Sequence, residues 1–185
     1  NLEWETSYTY DALNNLTQVN QGGQLRTFTH DARGRLISET TPEAGTTTYT
    51  YTDFDAVSTR TDARGVVTTY TYGPLNLPTG VSYNTASATG VAATAAVSVT
   101  YKSASPGKGQ IELVTDGAGS ESYGYDSFGR LQSCTRVIDG MSYEKRYEYN
   151  AAGQMTQMIY PSGRRVKVGH DARGRLSAMQ RVDDS

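Results

Sequence analysis

The heptapeptide HDARGRL stands twice in the chain, at His30–Leu36 and again at His170–Leu176. A seven-residue identity within 185 residues is not a chance event; it marks a tandem repeat. An internal repeat decides the architecture before any other signal, because each unit must bury its faces against its own copies. Weaker copies become legible once the last aromatic or His before each turn is taken as an anchor. The anchors are Tyr10, His30, Tyr51, Tyr72, Tyr125, Tyr149 and His170, spaced 20, 21, 21, 53, 24 and 21 residues apart. The long gap holds about two units, with Tyr101 anchoring an eroded one, so the period is about 21 residues.

One unit reads as a hairpin. Thr27-Phe28-Thr29-His30 alternates, which puts Phe28 and His30 on one face of a strand. Asp31 suits the first position of a type I turn, and Gly34 the fourth, where φ is often positive. Arg35-Leu36 then starts the returning strand. The same turn opens at Asp126 and closes at Gly129, and recurs from Asn150 to Gly153 and from Asp171 to Gly174. After Tyr10 the turn opens at Asp11 and its Gly slot holds Asn14; after Tyr51 and Tyr72 the slot holds Asp55 and Asn76. Asn is among the residues most tolerant of left-handed dihedrals, and Asp is a poorer but acceptable choice. Second turns follow about ten residues later, at Gly22-Gly23, Pro42–Gly45, Asp62–Gly65, Asp116–Gly119, Asp139-Gly140 and Pro161–Gly163.

Turn signals this regular, with no helical period between them, predict an all-β fold of tandem antiparallel hairpins. Roughly 14–16 strands about 4.8 Å apart would give a sheet on the order of 70 Å wide. Twist makes such a sheet curl into a curved strip or part of a spiral shell. The pairs Tyr8/Tyr10, Tyr49/Tyr51, Tyr70/Tyr72, Tyr123/Tyr125 and Tyr147/Tyr149 are expected to form a stacked aromatic ladder between repeats. Leu16, Leu36, Val57, Leu77, Leu131, Met155 and Leu176 form a second row. The chain reads as a single domain over 1–185 with an irregular insertion at about 84–110, including a loop, an irregular strand and an optional short helix over Val91–Ala96.

Composition agrees. Only 36% of residues are hydrophobic, yet 14 are Tyr and 25 are Thr, a strand-forming mixture without a greasy core. The net charge of −2 gives no basic field for nucleic acid, and no apolar run reaches membrane-span length. Cys134 is alone, so no internal disulfide forms. There is no initiator Met or signal peptide, and Asn1-Leu2-Glu3-Trp4 runs almost directly into a repeat, as expected of a piece of a longer chain.

YGYDSFGRL at 123–131, YEYNAAGQM at 147–155 and YPSGRRVKVGHDARGRL at 160–176 resemble the YD repeats of the Rhs family. The resemblance runs along nearly the whole chain apart from about 84–110. It implies long hairpins winding into a hollow shell, as in Rhs proteins, the C components of insecticidal toxin complexes and teneurins. For the bacterial members it implies a secreted or cell-surface protein whose shell encloses a C-terminal toxin or other cargo polypeptide. Carbohydrate binding is the alternative it implies. The family's self-cleaving C-terminal core is not found in this sequence, so no catalytic residue is carried over.

The residues themselves offer no active site. His30 and His170 occupy slots filled elsewhere by Tyr, so they read as aromatic substitutes and not as ligands or bases. No zinc-type spacing is present, and the turn acids are too far apart for a calcium loop. Arg33, Arg35, Arg173 and Arg175 read as solvated hairpin ends or cross-repeat partners of Asp. The sequence thus predicts a structural, non-enzymatic module without cofactor or metal. Its expected partners are neighbouring repeats, a cargo polypeptide and, in the alternative, glycans. Open strand edges predict edge-to-edge self-association.

Overall fold

Alternating Tyr and Thr give the anchor strands TSYTY, GTTTYTY and VTTYTY two unlike faces, and Asp-x-x-Gly turns and their variants return the chain at regular intervals. The computed structural model describes residues 5–182, so Asn1–Trp4 lie outside it. The described residues carry strands and no helix, and they divide into two units with the break between Ala96 and Val97.

The first unit holds β1 (Thr6–Tyr10), β2 (Leu16–Gln21), β3 (Gln24–His30), β4 (Leu36–Thr41), β5 (Gly45–Tyr51), β6 (Val57–Thr61), β7 (Val67–Tyr72) and β8 (Pro78–Asn84). The second holds β9 (Val97–Tyr101), β10 (Ile111–Asp116), β11 (Gly119–Tyr125), β12 (Leu131–Ile138), β13 (Met141–Tyr149), β14 (Met155–Ile159), β15 (Arg165–His170) and β16 (Leu176–Val182). Within each unit every strand pairs antiparallel with its chain neighbours and packs against no other strand. Each unit is therefore a single-layered meander. Among the described residues no side chain is fully buried; the most enclosed are Thr47, Val66, Thr68 and Val168.

Each anchor sits at a register shift. His30 faces Leu36, Tyr51 faces Val57 and Tyr125 faces Leu131, with one residue bulged before each pair. The bulge lets the turn close with two main-chain bonds, as Asp31 N–H to the Arg35 carbonyl and Gly34 N–H to the Asp31 carbonyl, both at 2.9 Å. Gly34, Gly129, Gly153 and Gly174 stand at φ between +76° and +80°, while Asn14, Asp55 and Asn76 hold the same slot at 63°, 65° and 57°.

The faces differ in chemistry. In the first unit one face carries the anchors and Thr47, Tyr49, Arg60 and Tyr70. The other is a field of hydroxyls, in which Thr40 meets Thr46 at 2.9 Å and Thr50 meets Thr59 at 2.6 Å. These pairs sit on opposed strands, where Thr–Thr contacts stabilise a sheet.

The inserted segment differs from expectation in one respect. Residues 91–96 form no helix: six residues are too few to repay helix nucleation, and Val91 and Thr94 disfavour it. The segment runs without regular structure into β9. The eroded repeat keeps its geometry. Lys102 N–H donates to the Gln110 carbonyl at 2.9 Å, closing an enlarged turn directly after Tyr101.

Candidate functional site

The densest side-chain chemistry lies where one repeat meets the next. In the turn after His30, Asp31 Oδ1 accepts the N–H groups of Arg33 at 2.8 Å and Arg35 at 3.0 Å. Its Oδ2 accepts Arg35 Nε at 2.7 Å. The carboxylate thus holds its own turn and folds the Arg35 guanidinium back over it. There the guanidinium carbon lies 4.6 Å from the Tyr51 ring centre, within cation–π range. Arg35 Nη1 also donates to Asp55 of the following turn at 2.7 Å, and Arg33 reaches the same oxygen at 3.0 Å. The joint closes from the other side: the Tyr51 hydroxyl donates to the Leu36 carbonyl at 2.6 Å.

The same clasp recurs in the second unit. Asp126 Oδ1 accepts the N–H groups of Phe128 and Arg130, and Oδ2 accepts Arg130 Nε at 2.6 Å. The Arg130 guanidinium lies 4.6 Å from the Tyr149 ring and 4.9 Å from Phe128. The Tyr149 hydroxyl donates to the Leu131 carbonyl at 2.8 Å. Two further joints keep the hydroxyl bond but change the cover. Tyr72 donates to the Val57 carbonyl at 2.7 Å, and Phe54 meets its ring edge-on at 5.3 Å. Tyr125 donates to the Ile111 carbonyl at 2.7 Å, with the Gly107 backbone close against its ring.

This corrects the expected aromatic ladder. At these four joints a hydroxyl-to-carbonyl bond links the repeats, with a ring contact added at Tyr72, where Phe54 meets it edge-on. Three of the four acceptors, Leu36, Val57 and Leu131, fall in the row that the sequence marks as packing residues, while Ile111 does not; the working atom is the main-chain oxygen. Arg35 joins its own Asp31 as well as the next repeat, and Arg175 joins Asp171 of its own turn.

His30 and His170 break the hydroxyl pattern, because an imidazole presents no hydroxyl to the neighbouring carbonyl. The slot held by Arg35 ahead of Tyr51 and by Arg130 ahead of Tyr149 holds Asn15 ahead of His30, Gln154 ahead of His170, Ala56 ahead of Tyr72 and Gln110 ahead of Tyr125. His30 Nδ1 is buried with no hydrogen-bond partner among the described residues.

Electrostatics follow the same bonds. The Arg35 side chain, with the N–H groups of Arg35 and Arg33, holds the Asp31 carboxyl below its ordinary value near 3.8. Asp62, Asp116 and Asp171 are lowered in the same way by Arg64, Arg136 and Arg175. A carboxylate depressed in the folded state contributes stability that is present above its unfolded value and lost as pH falls through the folded one. The melting temperature followed by circular dichroism is therefore expected to decline below about pH 4. The turn at Asn150 shows a neutral equivalent, with Asn150 Oδ1 accepting two N–H groups at 3.0 Å and Gln154 replacing the Arg. Asp31→Asn with Arg35→Gln should hold the turn and shallow the acid decline. An unchanged acid profile in that double variant counts against the assignment.

Cys134 is the one thiol in the chain. It donates to Glu121, and burial followed by that carboxylate pushes it up to about 11, away from the reactive thiolate. Among the described residues no three His, Cys, Asp or Glu side chains group in a way that could hold a metal. What the repeated arrangement does is mechanical: at these four joints it ties one repeat to the next within a unit.

The comparisons agree with that geometry. The teneurin YD-shell family matches residues 79–181, and the RHS repeat matches 10–46 and 30–67. A double-stranded DNA deaminase toxin A from Burkholderia cenocepacia (strain H111) is 26% identical over 158 residues, covering 85% of this chain and 9% of that protein. The crystal structure of TcdB2-TccC3-Cdc42 superposes with a TM-score of 0.79 at 16% identity, covering 96% of this chain and 10% of that one. The Tc holotoxin pore of Photorhabdus luminescens gives 0.77 at 15% identity, with the same coverage. The chain spans about a tenth of the length of these relatives. Sequence match, repeat geometry and superposition converge, and the chain belongs to the RHS and YD-shell family.

Proposed function

We propose that the chain is a strip of wall in a secreted or surface-exposed YD-repeat shell, and that the shell encloses a polypeptide cargo. The carrying observation is the single layer. Within each unit the strands pack only on their chain neighbours, and no side chain among the described residues is fully buried. A sheet held by joints and not by a core is suited to separating two spaces. Its polar faces suit a cargo that must not be gripped. A toxin among the relatives supports a toxic cargo.

The carbohydrate alternative is less favoured by the joints. Rings that would stack on a sugar are already covered, Tyr51 by Arg35 and Tyr149 by Arg130. The test is protease protection in the full-length protein that carries these repeats. A cargo segment is expected to survive protease behind an intact wall and to be cut when Tyr149→Ala opens a joint. Equal cutting in both proteins overturns the wall reading. Glycan-array binding lost on Tyr→Ala changes, with folding intact, also overturns it, in favour of the carbohydrate role.

A further inference from the structure

The longest stretch outside a strand among the described residues follows β8, and its two halves are held differently. The first half is tied down. Ala86 N–H donates to the Asn84 side chain and Ala88 N–H to the Thr85 carbonyl, both at 3.0 Å, and Ser87 lies against Gly65 of the turn between β6 and β7. From Thr89 to Ala96 nothing comparable holds the chain. Among the described residues this segment makes no hydrogen bond, through main chain or side chain, and Ala92–Ala96 are all exposed.

Unpaired main chain of this kind is what an endopeptidase needs. A protease takes its substrate as an extended strand and bonds the N–H and carbonyl groups along its cleft. A segment already paired in a sheet or turn must first be pulled out. Exposed stretches of small residues are accordingly where folded proteins are nicked. Drawn out, the segment spans about 27 Å. Its side chains then choose the enzyme. Val91-Ala92-Ala93-Thr94-Ala95-Ala96 has no Lys or Arg for a trypsin-type pocket and no aromatic ring for a chymotrypsin-type one. The basic residues nearby are better held. Lys102 and Lys108 belong to the enlarged turn, where Lys102 N–H donates to the Gln110 carbonyl and Gly109 N–H to the Lys102 carbonyl, both at 2.9 Å. Arg33, Arg64 and Arg173 each donate a main-chain N–H to the Asp of their own turn.

We propose that Val91–Ala96 is a cleavage site for an endopeptidase whose S1 pocket takes alanine or valine. Water adds across one peptide bond there, its hydroxyl to the carbonyl carbon and its proton to the leaving nitrogen, so a carboxyl group and an amine replace the bond. The cut spares both ladders, since β8 pairs with β7 and β9 with β10. The site is defined by local chain geometry and stands or falls separately from the cargo reading.

Low-dose elastase on the full-length protein tests it. The first cut within these repeats is expected between positions 91 and 97, read by mass spectrometry, with the strand signal in circular dichroism unchanged. A first cut elsewhere in the repeats, or cutting only after urea has unfolded the protein, overturns the proposal. Ala92→Asp, Ala93→Asp, Ala95→Asp and Ala96→Asp together are expected to slow that cut by about tenfold or more, because a small apolar pocket rejects a carboxylate. An undiminished rate in that variant overturns the pocket assignment. Ala93→Arg supplies the side chain that trypsin lacks, and trypsin's first cut in the repeats is expected to move to the bond after position 93. If trypsin still cuts first elsewhere, the segment is not an open substrate and the assignment fails.

Discussion

Replacing Gly119 by alanine is expected to destabilise the second unit by about 3 kcal/mol or more. Gly119 opens β11 at φ +143°, a conformation that residues with a side chain rarely adopt. A Cβ there would lie 1.9 Å from the Val137 carbonyl oxygen, and Gly119 faces Ile138 in the ladder between β11 and β12. The obstacle is backbone, so relief means parting two strands. Gly23 is the control: its φ is +89°, but nothing lies within 4 Å of an added Cβ. Gly23→Ala should therefore show only the dihedral penalty, about 1 kcal/mol. Chemical unfolding of both variants decides the matter; equal losses would mean that the close approach at Gly119 has no energetic weight.

The second large effect is expected at Tyr149. Tyr149→Ala removes the ring under Arg130 and leaves the Leu131 carbonyl without its donor, a loss of about 2–3 kcal/mol. Tyr149→Phe keeps the ring and loses only the hydroxyl bond, about 1 kcal/mol. The same pair of changes at Tyr143, an exposed residue whose hydroxyl contacts Met141, should each fall within about 0.5 kcal/mol. Urea midpoints separate these outcomes. If Phe and Ala at position 149 prove equivalent, the ring contributes nothing and the joint is a hydrogen bond alone.

The hairpins were legible because their signals are local. Asp at the head of the turn, Gly or Asn at its close and an aromatic before it act within a few residues, so β1 to β8 and β10 to β16 could be placed from spacing. Even the enlarged turn after Tyr101 announced itself through its anchor. The segment at 91–96 was harder, since Ala-rich composition favours helix but length forbids it. The joints were legible only in part. That Arg35 and Tyr51 would meet depends on register across a second turn, which spacing alone leaves open. That the acceptor would be a carbonyl was beyond reach, because every residue has one and no side chain marks it.

The joint's use of a main-chain oxygen has a further consequence. The acceptors beneath Tyr51, Tyr72, Tyr125 and Tyr149 belong to Leu36, Val57, Ile111 and Leu131, residues of different shape. The donor therefore docks onto a feature that mutation cannot delete. A repeat is free to drift, shorten or be duplicated beside any other without first acquiring a matched partner side chain. Such a lineage can lengthen its wall by copying units, and the burden of compatibility falls on a few turn and anchor positions.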